Sequence, residues 1–208
     1  VDLIPVFSFL FLKGKCRYCK EKISVRYPLV EALTALLFLL IYHQYGLTFK
    51  GGAYLVLVCA VITASFIDLD HMIIPNSLNL FIGITGGIFI LTGWTVTWKQ
   101  GILGLCIGGG SLLLLGLLAV WLLKKEGMGG GDIKLAAACG LYLGMDKIIL
   151  SLLLTTYLAG LIMLVLLALR KLKKGQYVPF GPFISSGVII ITLFYNEIIN
   201  IYNKITLY

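Results

Sequence analysis

Apolar residues in this chain fall into long runs with few charges, not into the short alternating or amphipathic stretches of a soluble domain. Residues 1–27 are polar and basic, with a short apolar interruption at 6–12. Seven apolar runs follow, at 28–45, 51–67, 77–98, 100–123, 133–145, 148–169 and 182–202. A helix crosses a bilayer with about 20 apolar residues, and the pattern predicts an all-α, polytopic membrane helix bundle of about seven spans. The fifth run has only 13 residues. It is expected to be a short helix packed inside the bundle, or one lengthened by the glycine-rich stretch before it. The expected division is a short basic cytoplasmic segment, 1–27, and a transmembrane domain, 28–208.

Composition agrees with the pattern. Sixty per cent of the residues are hydrophobic and 12% are charged, where a soluble domain is roughly half apolar and a quarter charged. The net charge of +8 does not point to nucleic acid, because the basic residues sit between the runs, where they set orientation in the bilayer. With residues 1–27 inside and seven crossings, thirteen basic residues lie inside: Lys13, Lys15, Arg17, Lys20, Lys22, Arg26, Lys124, Lys125, Lys134, Arg170, Lys171, Lys173 and Lys174. Four lie outside: Lys50, Lys99, Lys147 and Lys204. Cys59, Cys106 and Cys139 fall within runs and read as small buried residues. Cys16 and Cys19 form the one close pair, and nothing suggests a disulfide framework. Gly83 and Gly87 are four apart, as are Gly104 and Gly108, a spacing that suits close helix packing.

Carboxylates at the ends of apolar runs are the informative residues, since burying one in lipid is costly. Asp68-Leu69-Asp70-His71 closes the second run and is followed by Ile74-Pro75-Asn76. Gly127-Met128-Gly129-Gly130-Gly131-Asp132-Ile133-Lys134 opens the fifth. The topology puts both at the same, inner edge. Two facing carboxyls cannot both ionise and share a proton. The ionised member takes a proton from water while the protonated one polarises a carbonyl, which is peptide hydrolysis without metal or covalent intermediate. Gly129, Gly130 and Gly131 permit unusual backbone and leave room for an extended substrate. Pro75 forces a turn after Asp70.

Taken singly, each residue has a plainer reading. Asp132 reads as a helix cap after a loop, and Asp68 as a solvated residue at a helix end. Asp70, two residues on, points away from Asp68 on a helix and is secondary. His71 reads as an interfacial polar residue, and Lys134 as a neutralising charge with Glu126 across the loop. A rival class is a proton-coupled membrane carrier with Asp68 and Asp132 as relay groups, but relays lie near mid-membrane.

The Gly-x-Gly-Asp element at 129–132 and the Asp68-Leu69-Asp70 … Ile74-Pro75-Asn76 stretch resemble the two aspartate motifs of the type IV prepilin peptidases, GxGD-type intramembrane aspartyl proteases. Gly14-Lys15-Cys16-Arg17-Tyr18-Cys19 with Ile23-Ser24-Val25-Arg26-Tyr27-Pro28 is similar to that family's cytoplasmic region, and Val178-Pro179-Phe180-Gly181-Pro182 to its motif before the last helix. The resemblance implies catalytic Asp68 and Asp132, with Gly129, Gly130, Gly131, Lys134, Asp70, Pro179, Gly181 and Pro182 shaping the site. It implies removal of the basic leader from prepilins and pseudopilins at the cytoplasmic face of the bacterial inner membrane, with no cofactor for proteolysis. Methylation of the new N-terminus from S-adenosylmethionine is the family's second activity. Its bacterial members carry an N-terminal span and a first Cys-x-x-Cys before a stretch like the one where this chain starts. The sequence is therefore expected to be truncated, with Cys16 and Cys19 as half of a zinc site that needs four ligands.

Overall fold

The computed structural model describes residues 5–124, 128–171 and 178–206. Lys125, Glu126, Gly127, Lys173 and Lys174 lie outside the described residues. The chain is an all-helical, polytopic membrane protein. Among the described residues the helices are α1 (Pro5–Phe11), α2 (Arg26–Tyr45), α3 (Phe49–His71), α4 (Asn76–Leu91), α5 (Trp98–Leu123), α6 (Gly130–Ala168) and α7 (Gly181–Thr206). They form two compact units, 1–46 and 47–208. In the first, α1 occupies the apolar interruption, and one antiparallel bridge pairs Lys15 with Lys22 in the basic loop before α2. The second contains α3 to α7.

Five described helices, α2, α3, α5, α6 and α7, are long and apolar enough to cross a membrane, and α4 is a shorter apolar helix. The difference from seven lies in α4, which is shorter than its run, and in α6, which holds two of the runs. At 39 residues a straight helix would be about 58 Å long, nearly twice the bilayer core. It is not straight. Gly144 has φ 74° and ψ 179°, a conformation open essentially to glycine alone, and the chain reverses there. Asp132, twelve residues before Gly144, interacts with Asp68 of α3. Thr155, eleven residues after it, donates to the Phe183 carbonyl at 3.2 Å, two residues from Gly181, whose N–H is bonded to Asp68. Asp132 and Thr155 thus lie near one level, and the second arm continues past it to Ala168. The arms correspond to the runs 133–145 and 148–169, with the break at Gly144 where the apolar pattern puts it at residues 146 and 147.

The fourth helix is shorter than the run 77–98. Thr92 caps it, Gly93 adopts φ 70°, and Gly93 N–H and Trp94 N–H bond back to Ile90 and Phe89 carbonyls. This is the Schellman stop. Trp94 then stacks on Phe49, with ring centroids 4.5 Å apart, and on Phe89. The next helix starts with a capping box between Thr97 and Gln100.

The short first arm of α6 is central and packs against α4 and α5. A Cβ on Gly104 or Gly140 would run into the other's backbone, and one on Gly108 into the Ala136 carbonyl. Tyr142, fully buried, donates to Thr85 Oγ1 at 2.6 Å. So Gly104 and Gly108 mark a close helix contact, as their spacing predicts. Gly83 and Gly87 do not: nothing lies within 4 Å of a Cβ at either, and on that helix it is Gly86 that packs against Tyr142 and Leu141.

This contrast is measurable. Gly140→Ala is expected to destabilise the protein by about 1–3 kcal/mol through overpacking, read as a lower thermal midpoint in detergent. Gly83→Ala should leave the midpoint in place. Equal midpoints for the two variants would remove the backbone contact from the fold.

Candidate active site

Asp68 sits in the last turn of α3 and is 5% exposed. The helix ends three residues later because Met72 turns into the left-handed region, φ 54° and ψ 33°, with its N–H on the Asp68 carbonyl. The chain then extends through Ile74 and Pro75, and α4 begins at Asn76. Proline lacks an N–H and so gives up no helix bond at that boundary.

At the other side of the sequence, Pro179 and Pro182 are half-buried and Gly181 between them is buried. The Gly181 N–H donates to Asp68 Oδ2 at 2.8 Å. A Cβ at Gly181 would lie 2.8 Å from that oxygen and 3.1 Å from Asp68 Cβ. Only a residue without a side chain lets the backbone approach the carboxylate this closely.

Asp132 is half-buried in the first turn of α6, and its carboxylate is hydrogen-bonded to the backbone of Gly129. Gly129 is the N-cap residue, so Asp132 reaches back to it as the third residue of a capping box does. The plainer reading of Asp132 as the cap itself does not hold: Gly129 is the cap and Asp132 stands three residues inside it. Its Oδ1 is buried and has no protein partner. Asp68 and Asp132, 64 residues apart in the chain, are close enough for their charges to interact.

The glycine turn is held from α4. The Asn79 side chain donates to the Gly131 carbonyl at 3.2 Å, and Lys134 Nζ donates to Asn76 Oδ1 at 2.8 Å. A Cβ on Gly131 would meet Ile74 at 3.1 Å. Gly129 and Gly130 are exposed. Asp70 and His71 are exposed, so Asp70 does not share the buried face of Asp68. Asn79 was not among the residues singled out from sequence. Its signal is an amide inside an apolar run, which is costly unless hydrogen-bonded.

Two carboxyls whose charges interact, each with a main-chain donor, can activate a water against a carbonyl when they share a proton. The chain's relatives bear on this. Its residues 55–165 match the model of the type IV leader peptidase family, and residues 1–45 match that of the bacterial peptidase A24 N-terminal domain. The chain belongs to the type IV leader peptidase family. It is 41% identical over 190 residues to a prepilin leader peptidase/N-methyltransferase of Neisseria gonorrhoeae, covering 91% of this chain and 65% of that protein. A protein of the same name from Pseudomonas aeruginosa is 35% identical over 199 residues, 96% of this chain and 69% of the relative. The chain thus spans about two-thirds of the length of the curated relatives it matches. No solved structure matches. Within the family match lie Asp68, the glycine turn and Asp132. Gly181 lies beyond it.

The contact between Gly181 and Asp68 has a test independent of activity. Gly181→Ala is expected to cost about 1–3 kcal/mol of stability by overpacking. In an Asp68→Ala background the carboxylate is gone and only the 3.1 Å approach to Cβ remains, so the same change should cost less, a coupling read from a double-mutant cycle of thermal midpoints. Additive effects would mean that the side chain at 181 does not meet the carboxylate.

Proposed function

We propose that this chain carries the catalytic core of a membrane aspartyl endopeptidase. It removes the basic leader from type IV prepilins or pseudopilins at the cytoplasmic face of the bacterial inner membrane. The observation that carries the proposal is the meeting of Asp68 and Asp132 from two distant motifs, in a chain of the leader peptidase family. In the proposed step, water bound between the carboxyls gives a proton to the ionised one, and its oxygen attacks the scissile carbonyl carbon. The protonated carboxyl donates to the carbonyl oxygen. The tetrahedral intermediate then collapses, the C–N bond breaks, the amine leaves with the proton held by the first carboxyl, and a hydroxyl of the intermediate returns its proton to the second. The Gly181 N–H on Oδ2 of Asp68 holds that carboxyl in one orientation through the cycle.

The apolar body of a prepilin suits docking among the helices, with the leader junction at the carboxyls. Methylation of the freed amine from S-adenosylmethionine is the second half of the relatives' name, and it enters the proposal with no residue assigned to it. The family match does not favour the carrier reading.

We further propose Cys16 and Cys19 as half of a zinc site. The backbone N–H groups of Cys19 and Tyr18 bond to the Cys16 sulfur and hold its thiol below the usual cysteine range, as suits a thiolate ligand. A structural zinc takes four ligands. Among the described residues no group of three His, Cys, Asp or Glu side chains is placed to hold a metal. The 208-residue chain should therefore hold zinc weakly and release it to a chelator. Stoichiometric, chelator-resistant zinc by metal analysis would show that other groups complete the site.

The peptidase proposal is tested on the carboxyls. Asp68→Asn and Asp132→Asn should each lower kcat by on the order of 10⁴-fold or more, because the mechanism needs one carboxylate and one carboxylic acid. Asparagine keeps the shape, so both variants should stay folded. Asp70→Asn should be milder. The measurement is leader removal from a prepilin in liposomes, with the new N-terminus mapped by mass spectrometry. Full activity in either the Asp68 or the Asp132 variant would falsify the aspartyl mechanism.

A further inference from the structure

One buried polar side chain beside the carboxyl pair has no part in the mechanism above. Asn79 lies in the first turn of α4 and is 6% exposed. Its Nδ2 donates to the Gly131 carbonyl at 3.2 Å. A carbonyl only accepts, so the amide must turn its nitrogen to Gly131. The other end, Oδ1, is buried and has no protein donor. For folding alone this is a poor choice, since a half-paired buried amide costs free energy that leucine would not.

What Asn79 holds explains the choice. The Gly131 carbonyl belongs to the peptide plane that joins Gly131 to Asp132. The N–H of that plane, from Asp132, donates to the Gly129 carbonyl at 3.1 Å. The plane is therefore pinned at both ends, by Asn79 on one side and by the glycine turn on the other. Ile74 closes against Gly131 from α4's leading segment, leaving no room for a side chain. The glycine at 131 leaves this plane freer to rotate on that side than a residue with a Cβ would. Its rotation would swing the Cα–Cβ bond of Asp132 and with it the carboxyl facing Asp68.

We propose that Asn79 is a positioning residue that fixes the Gly131–Asp132 peptide plane and so aims the Asp132 carboxyl at Asp68 and the scissile bond. The inference rests on the carboxyl pair being catalytic. Asn79 touches neither substrate nor reacting atoms in this role. It acts on the turnover step and not on substrate affinity.

The test compares Asn79→Leu, which keeps the branching and removes the donor, with Asn79→Ala, which removes the donor without adding bulk. Both are made in the full chain and assayed for prepilin cleavage in liposomes, with thermal midpoints as the folding control. A misplacement of about 1 Å can cost on the order of a hundredfold. In the folded variants kcat is expected to fall about tenfold or more while KM stays within about twofold. Parental kcat in either folded variant overturns the inference. So does a rise in KM at constant kcat, or a loss of kcat only in step with the loss of folded protein. Asp132→Asn runs alongside: if it is inactive while Asn79→Leu turns over normally, only the role of Asn79 fails. If Asp132→Asn is itself active, the carboxyl-pair mechanism fails instead.

Discussion

A carboxyl sealed in an apolar bundle has to be met by donors, and around Asp68 and Asp132 the donors are main-chain N–H groups at helix starts. Gly181 opens α7 and gives its N–H to Asp68; Gly129 caps α6 and is bonded to Asp132. Helix N-termini carry unpaired N–H groups and the positive end of the helix dipole. Two of them converge on two carboxyls. This arrangement requires the C-terminal end of α3 and the starts of α6 and α7 to reach one level. The reversal at Gly144 and the bare backbone contact between Gly104 and Gly140 are what bring the start of α6 there.

Much of this is legible in the sequence, for physical reasons that differ from element to element. Long apolar runs announce helices in a bilayer, so α2, α3, α5, α7 and the two arms of α6 can be read directly. The end of α4 is harder, because Trp94 and Val96 continue the apolar composition while Gly93 stops the helix. Glycine spacing tells where backbones are able to approach, not which face meets a neighbour. Gly104 and Gly108 face α6, whereas Gly83 and Gly87 face open space.

The candidate site divides along the same line. Carboxylates are rare near apolar runs, so Asp68 and Asp132 stand out, and motif resemblance adds Gly181 and its prolines. The bond from Gly181 to Asp68 is made by a backbone amide, which every residue but proline possesses and which leaves no mark in a sequence. Asn79 shows the opposite limit. Its amide is visible within the run, but its partner is a carbonyl 52 residues away, and nothing local connects the two.

The reversal at Gly144 also bears on the lipid. From Gly130 to Leu143 the first arm has 14 residues, about 21 Å at 1.5 Å each, against a hydrocarbon core of about 30 Å. An arm this short, packed against α4 and α5, leaves the crossing of the full hydrocarbon core to the longer helices around it. Its end at Asp132 and its end at Gly144 therefore need not both reach the bilayer surfaces, and at least one of them lies below the level at which a full-length span would end.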